Sequence, residues 1–217
     1  MILKALGSMC KKEKAFCLYD RVSDTGEVHE QWLGTSSAVF PVYNLPYLTE
    51  DNLIRMFDIT AKQRESIYIR HGKLPETLNF SDTDEGELQA ERENIAIGYG
   101  GRINYPITTS GGLEFINAAF LTPLADVAHH VEFYERRTPS GSLYFAVKVG
   151  FMIAGVIMPL NIINEAFVGY FKTLTTKIED ALESKKKREA DNASRQIEQL
   201  QMQISGEDKT DDKKTDI

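Results

Sequence analysis

An apolar run at positions 143–160 is the feature that most restricts how this chain can fold. It reads LYFAVKVGFMIAGVIMPL and holds a single charged residue, Lys148. A membrane-spanning helix needs about 20 apolar residues, and here Gly150 interrupts the run. Tyr, Phe, Val and Ile dominate the segment, and these residues favour strands. We therefore predict two strands, 142–149 and 151–158, that turn at Val149–Gly150, and no membrane segment.

The rest of the first 160 residues alternates short strand patterns with short helix patterns. Thr49 is a good N-cap, and it precedes a helix whose apolar stripe falls at helical spacing. Gly100–Gly101 and Ser23–Gly26 are hairpin signals between apolar segments. Helices are predicted at 2–11, 50–58 and 119–130, and strands at 14–21, 28–34, 38–42, 66–70, 95–99, 102–108 and 132–137. This mixture predicts an α+β fold.

Residues 72–94 differ from their surroundings in composition. They read GKLPETLNFSDTDEGELQAEREN, which is polar and acidic. Such a segment lacks the apolar residues needed to form a core, so we predict an acidic linker that is partly disordered. Asp82 and Asp84 resemble the start of a calcium loop, but the glycine and the final glutamate do not fit the spacing.

A weak internal repeat relates the two sides of this linker. Residues 32–58 resemble residues 97–126, with the Phe40-Pro-Val segment matching the Tyr105-Pro-Ile segment and the two helices following. The repeat predicts two similar halves, about 1–71 and 95–160. Coincidence among short apolar patterns remains an equal alternative.

The C-terminal region predicts a helix and a tail. Between residues 161 and 187, apolar side chains recur at helical spacing, which indicates an amphipathic helix that must pack on its own sheet or on a partner. Residues 188–217 are polar and charged, and we predict a largely disordered tail. The apolar positions of the helix are Ile163, Phe167, Tyr170, Phe171, Leu174, Ile178 and Leu182.

Motifs for catalysis, metals or cofactors are missing from the sequence. No phosphate-binding loop, zinc-protease helix or nucleophile elbow is present, and Cys10 and Cys17 are interpreted as ordinary thiols of a reducing cytoplasm. We therefore expect a cytoplasmic protein that is not an enzyme and carries no cofactor or metal. The alternative is a hydrolase that uses His129 or His130 with Glu132 as an acid–base couple.

The charge balance argues against a chain that coats nucleic acid. The sequence holds 25 Lys and Arg against 32 Asp and Glu, a net charge of -7. From Ser184 onward basic and acidic residues balance, so the whole net charge lies in residues 1–183. Two basic clusters remain that could contact phosphate. They are Lys4, Lys11, Lys12 and Lys14 near the first helix, and the run Lys185–Arg188, which also suits a helix C-terminus.

The second half resembles the end of a bacterial DNA polymerase sliding clamp over about residues 95–160. In that family a helix of the type F(N)xxYLxxxL leads into a strand, a hairpin and a final strand that ends in Met-Pro-Met or Met-Pro-Leu. The matching positions here are Phe115, Phe120, Leu121, Leu124 and Met158-Pro159-Leu160. The chain is also similar to small uncharacterised proteins of bacterial phages and integrative elements.

The resemblance implies a clamp-like domain built from two similar helix-and-strand halves over residues 1–160, with a C-terminal helical extension. It also implies a cleft near the final strand that takes short apolar peptides. Bacterial clamps carry three such domains per chain, and their DNA-facing helices are basic. The predicted helices 50–58 and 119–130 are not basic, so DNA contact is expected, if at all, from the N-terminal lysines.

These observations lead to one expected function and one non-enzymatic alternative. We expect a phage or mobile-element protein that acts as a replication-associated or protein-interaction module, with a protein partner or a second copy as its ligand. The alternative is a host-interaction, anti-defence or structural protein that oligomerises through the C-terminal helix. The expected partner-binding residues are Met158, Pro159, Leu160, Phe167, Tyr170 and Phe171.

Overall fold

The computed structural model describes residues 1–207, and its N-terminal part begins with a helix followed by three antiparallel strands. The helix α1, Leu3–Lys12, buries Leu6, Met9 and Cys10 and ends before Lys14, whose backbone is left-handed at φ 53°. The chain then forms β1 (Ala15–Val22), β2 (Val28–Gly34) and β3 (Ala38–Pro41). The strands follow the predicted bounds to within a residue.

The remaining elements of the first 161 residues are short. They are α2 (Glu50–Met56), α3 (Ala61–Arg64), β4 (Tyr68–Lys73), β5 (Leu88–Arg92), β6 (Ile97–Tyr99), β7 (Arg102–Thr109), β8 (Gly112–Asn117), a 3₁₀ helix (Ala118–His130), β9 (Val131–Arg137), β10 (Leu143–Val149) and β11 (Met152–Ile157). The fold class is α+β, as predicted. The predicted helix at 119–130 is a 3₁₀ helix with a kink at Val127.

Within residues 1–207, eleven strands form one mixed sheet. Their order is β4-β1-β2-β3-β11-β10-β9-β5-β7-β6, with β8 paired to β7. The pair β1–β4 is parallel, and the other pairs are antiparallel. The strands β3 and β11 are therefore neighbours in the middle of the sheet, although they are far apart in the chain.

A helix followed by a three-stranded antiparallel meander occurs twice in this sheet. Helix α1 precedes β1–β2–β3, and the 3₁₀ helix precedes β9–β10–β11. The meanders join where Val39 pairs with Val156, and the helices join where Ile2 N donates to Pro123 O at 2.7 Å. This arrangement differs from the repeat predicted from sequence, because Phe40 lies in β3 while Tyr105 lies in β7, outside both meanders.

Apolar side chains cover both faces of the sheet. On one face, α1, α2 and the 3₁₀ helix contribute Leu6, Leu53 and Phe120 to a core with residues of the strands. Because strand side chains alternate between faces, Trp32 and Tyr144 point the other way into a second cluster. That cluster is closed by Phe80, whose ring packs edge-on against Trp32 at 4.9 Å.

Residues 72–94 therefore fold differently from the predicted, partly disordered linker. They contain the last two residues of β4, a loop that covers the second cluster, and β5. The loop is attached to the sheet by Arg136, which donates to the backbone carbonyls of Asn79 and Ser81 at 3.0 and 2.8 Å. Glu87 of this segment pairs with the buried cations Arg136 and Lys148, and the composition of the segment alone does not reveal this contact.

The apolar run at 143–160 forms the predicted hairpin of β10 and β11. Gly150 lies at its turn with φ 62°, a left-handed conformation that glycine adopts without steric cost. No helix among residues 1–207 has the combined length and apolar content required to cross a bilayer.

The chain divides into two units after Asn161, and the second contains one long helix. Helix α4, Glu165–Glu207, has 43 residues and is about 65 Å long. Asn164 caps it, because its Oδ1 accepts a hydrogen bond from Phe167 N at 3.0 Å. The predicted end at residue 187 is wrong, since residues 188–207 of the predicted disordered tail are helical. Residues 208–217 of that predicted tail lie outside the described residues.

Candidate functional site

The basic residues predicted near the first helix lie on and directly after α1. Lys4, Ser8 and Lys11 fall at i, i+4 and i+7 and so share one side of the helix. Lys12 and Lys14 follow, and α1 itself contains three lysines and no acidic residue. In a chain of net charge -7, this helix is a local concentration of positive charge.

A close approach between α1 and the end of α2 shapes the surface beside these lysines. Gly7 faces the ring of Phe57, and a Cβ built on Gly7 would lie only 2.2 Å from Phe57 Cδ1. Glycine therefore permits this contact. Beside it lies a groove of about 310 Å³, which Lys4, Ser8 and Lys11 line from the helix side. Asp58 also lines the groove, and Ser8 Oγ donates to Lys4 O at 2.9 Å, so the groups that remain for an anionic ligand are the two lysines.

The 3₁₀ helix, which precedes the second meander, carries no lysine or arginine. The 3₁₀ helix holds one acidic residue, Asp126, and ends in His129 and His130. Of α1, α2 and the 3₁₀ helix, α1 is the one with an excess of lysine and arginine, because α2 carries Glu50 and Asp51 against Arg55. The predicted repeat paired helix 50–58 with helix 119–130. In the structure the counterpart of the 3₁₀ helix is α1, because each of these two helices precedes a three-stranded meander.

The residues of the hydrolase alternative lie at the surface. His129, His130 and Glu132 are all exposed, and Glu132 Oε2 accepts a hydrogen bond from Tyr134 Oη at 3.0 Å. An acid–base couple usually needs a site that shields the reacting groups from water, and this open helix end does not provide one. Across residues 1–207, no group of three or more His, Cys, Asp and Glu is placed to hold a metal ion.

The predicted partner-binding residues after β11 are only half buried. Met158 packs against the second apolar cluster, and its N–H donates to Ser37 O at 2.8 Å. Leu160 N donates to Phe115 O at 2.7 Å, which fixes this segment beside β8. Met158, Pro159 and Leu160 therefore form an ordered ridge at the edge of the cluster, with part of each side chain accessible.

The other predicted partner-binding residues belong to the first turns of α4. Phe167 is buried, and its ring lies 4.6 Å from that of Phe171. Tyr170 is half exposed and packs on Phe171 at 5.5 Å. Further along α4, large apolar side chains stay exposed, namely Leu174, Ile178, Leu182, Ile197, Leu200 and Met202.

A polar cluster around Asp20 was not predicted from the sequence. Asp20 Oδ1 accepts from Gln31 Nε2 at 2.8 Å, while Oδ2 lies 3.0 Å from Tyr47 Oη and 2.9 Å from His71 Nε2. Burial disfavours the charged carboxylate, but these hydrogen bonds outweigh burial and lower the pKa of Asp20 below its ordinary value. The cluster ties β1 to β2, to β4 and to the loop after β3. Its members lie up to 51 residues apart, so no motif spacing reveals it.

A second unpredicted cluster pairs the loop before β5 with the sheet. The fully buried Arg136 donates from Nε to Glu87 Oε2 at 2.8 Å, and Lys148 Nζ binds the other oxygen of Glu87. Lys148 also lies over the ring of Tyr134, 4.3 Å from its centroid. Arg136 and Lys148 both bind the loop through Glu87, so we interpret this cluster as structural.

The lysines of α1, the ridge 158–160 and the apolar side of α4 are therefore the candidate binding surfaces that the sequence predictions and the structure together indicate. Comparisons of the chain with protein-family models, with curated proteins and with solved structures found no match.

Proposed function

We propose that this chain is a non-enzymatic, clamp-like protein of a phage or mobile element that acts in DNA replication by binding DNA and a protein partner. The observation that carries the proposal is the repeated helix-and-meander unit. Each unit places one helix before three antiparallel strands, and the two units meet at β3 and β11. This arrangement is consistent with the two similar halves that the resemblance to sliding clamps implies.

The position of α1 supports a role for the lysines. Both helices of the repeated units pack on the same side of the sheet, as their shared core residues indicate. In the clamp family that side faces DNA and is basic. Lys4, Lys11, Lys12 and Lys14 supply positive charge there, although the protein as a whole is acidic. Attraction between these lysines and backbone phosphates would make binding independent of sequence.

The ridge 158–160 supports a role for a protein partner. Met158 and Leu160 are held in place by backbone hydrogen bonds to Ser37 and Phe115, so a partner meets an ordered apolar surface at little cost in conformational entropy. The family resemblance places a cleft for apolar peptides near these positions.

Salt-dependent binding of duplex DNA tests the proposal. Wild-type protein and the variant with Lys4, Lys11, Lys12 and Lys14 changed to Gln are titrated against labelled duplex between about 50 and 200 mM salt. We expect the slope of log K against log salt to become shallower by about 3 to 4 in the variant, since each lost phosphate contact changes it by about 0.9. The matched control changes Lys185, Lys186, Lys187 and Arg188 to Gln and should leave the slope unchanged. An equal loss in both variants, or no binding by wild type, contradicts the proposal.

Self-association through α4 is a second candidate function, favoured by the row of apolar side chains that the helix leaves exposed. Light scattering on the full chain and on a chain truncated at residue 160 tests whether α4 mediates self-association. Loss of an oligomer on truncation supports this second function, and an unchanged oligomeric state excludes it.

A further inference from the structure

The outer part of α4, residues 172–202, is a long stretch of helix in which every residue is exposed. At about 1.5 Å per residue it is about 46 Å long. A helix in water gains most of its stability by packing an apolar side against another element. Large apolar side chains on this stretch are nevertheless exposed, among them Leu174, Ile178, Leu182, Ile197 and Leu200.

These apolar residues belong to one continuous row along the helix. Between Leu182 and Ile197 the row continues through Lys186, Glu189 and Ala193, so that each member follows the previous one by three or four residues. Residues at this spacing lie on the same side of a helix. The row is therefore apolar toward both ends and charged in the middle.

The charges in the middle of the row are accessible to a partner. Lys185 Nζ lies 3.9 Å from Glu189 Oε1, and both side chains are about two-thirds exposed, at 68% and 66%. A solvated pair of this kind contributes little to stability. Glu189 can therefore bind another cation, and Lys186 another carboxylate, when a second helix covers the row.

The row is nearly symmetric about the midpoint between positions 187 and 188. Lys186 and Glu189 are equally far from that midpoint, as are Leu182 and Ala193, and Ile178 and Ile197. The position that matches Leu174 is 201, next to Leu200. A second copy of the helix that runs in the opposite direction therefore places apolar residues against apolar residues and Lys186 against Glu189. Because the two copies are related by a two-fold axis, that charge contact is made twice.

A parallel copy in the same register would place each residue of the row opposite itself. Lys186 would then face Lys186, and Glu189 would face Glu189, and such juxtaposed like charges oppose association. An unrelated partner would not require the row to be symmetric. The symmetry and the charges thus favour a second, antiparallel copy of this chain as the occupant.

We propose that two copies of this chain associate through residues 174–201 of α4 in antiparallel orientation, with Lys186 of each copy against Glu189 of the other. This inference rests on the second candidate function, self-association through α4, and adds to it the direction and register of the two helices.

Cysteine crosslinking tests the direction. Full-length Leu182→Cys and Ala193→Cys are oxidised separately and as an equal mixture, and the products are separated without reducing agent. The native thiols of Cys10 and Cys17 are buried, and wild type is the control for them. We expect a crosslinked dimer from the mixture and none from either variant alone, because position 182 of one copy lies opposite position 193 of the other.

Charge reversal tests the register. We expect Lys186→Glu and Glu189→Lys each to raise the dimer dissociation constant about tenfold, since each replaces two attractive contacts with two repulsive ones, and the double variant to restore it. The matched control is Lys177→Glu. Lys177 also precedes an acidic residue, Asp180, by three positions but lies outside the row, so this substitution should leave the constant unchanged. Circular dichroism checks that every variant keeps its helix.

The outcomes distinguish the orientation from self-association itself. A monomeric wild type at about 1 mM protein, or a dimer that survives truncation at residue 160, overturns both the inference and the second candidate function. A dimer that is lost on truncation, but whose single-cysteine variants each crosslink alone, overturns the antiparallel orientation and leaves self-association standing. A dissociation constant that does not respond to Lys186→Glu overturns the register.

Discussion

Arg136 and Glu87 form a buried ion pair in which Nε and Nη2 of the arginine both reach Oε2 of the glutamate, at 2.8 and 2.5 Å. The two residues are 49 positions apart in the chain. Their contact, with the bond from Lys148 to Glu87, attaches the loop before β5 to the sheet. This loop closes the second apolar cluster over Trp32.

Glu87→Gln should destabilise the fold strongly. The substitution leaves the charge of Arg136, which is fully buried, without its counterion, and breaking such a pair costs about 3 kcal/mol or more. The free energy of unfolding from urea denaturation measures the loss. The control Glu85→Gln changes an exposed neighbour in the same loop and should stay within about 0.5 kcal/mol of wild type. Equal effects of the two substitutions would show that the ion pair does not hold the loop.

The predicted linker shows what composition can and cannot reveal. Two acidic residues of segment 72–94 serve as partners for groups of the sheet: Glu87 for Arg136 and Asp82 for the N–H of Ile153. Composition indicates correctly that this segment cannot form a core alone. It cannot indicate that a buried arginine 49 residues later binds the segment.

Asp20→Asn should lower stability near neutral pH and have little effect in acid. The folded-state pKa of Asp20 lies below its ordinary value of 3.8, so ionised Asp20 stabilises the fold above that value. This stabilisation disappears as the pH falls through the folded-state pKa. We expect a loss of about 1 kcal/mol at pH 7, measured by denaturation from pH 7 to pH 3, that begins to shrink as the pH approaches the ordinary value of 3.8 and continues to shrink below it.

The exposed Asp24 provides the control for this pH dependence. Asp24 lies in the turn between β1 and β2. The substitution Asp24→Asn should change the free energy of unfolding by less than about 0.5 kcal/mol at every pH. A wild-type minus Asp20→Asn difference that stays constant from pH 7 to pH 3 would contradict the role given to the Asp20 carboxylate.

Two helical glycines should respond to alanine in opposite directions. Alanine favours a helix over glycine by about 1 kcal/mol, and at Gly169 in α4 no atom lies within 4 Å of the added Cβ. At Gly7 the Cβ would lie 2.2 Å from the Phe57 ring. That ring is buried and packs on Phe16 at 5.4 Å, so it cannot move aside freely. We expect Gly7→Ala to destabilise by about 1–3 kcal/mol.

Circular dichroism and thermal unfolding measure this pair of variants. Gly169→Ala should raise the helical signal slightly and leave the unfolding of the sheet unchanged. If Gly7→Ala stabilised the protein, the close approach of α1 to Phe57 would not exist in solution.

The strands that were predicted well are those with a clear local pattern in the sequence. The hairpin of β10 and β11 could be located because Gly150 interrupts an apolar run, and glycine is favoured at a turn with a left-handed φ such as the 62° found there. By contrast, β5 and β8 are short strands of five and six residues, and their pairing with β9 and β7 depends on the rest of the sheet.

The candidate site depends on topology that short motifs could not supply. The sequence repeat matched Phe40 with Tyr105, but these residues lie in strands with different neighbours. The structural match of α1 with the 3₁₀ helix has no shared motif. It appears only when the pairing of β3 with β11 is known. The sequence identified the lysines of α1 as candidate phosphate contacts. It did not predict that α1 packs in the same layer as the 3₁₀ helix.

Photocrosslinking from α1 tests the central claim most directly. A p-benzoylphenylalanine at Ser8, between Lys4 and Lys11, is compared with the same group at Tyr68 on β4, in complexes with labelled duplex DNA. We predict a crosslink to DNA from position 8 and none from position 68. A complex that crosslinks from position 68 and not from position 8 would contradict DNA binding through the helical layer.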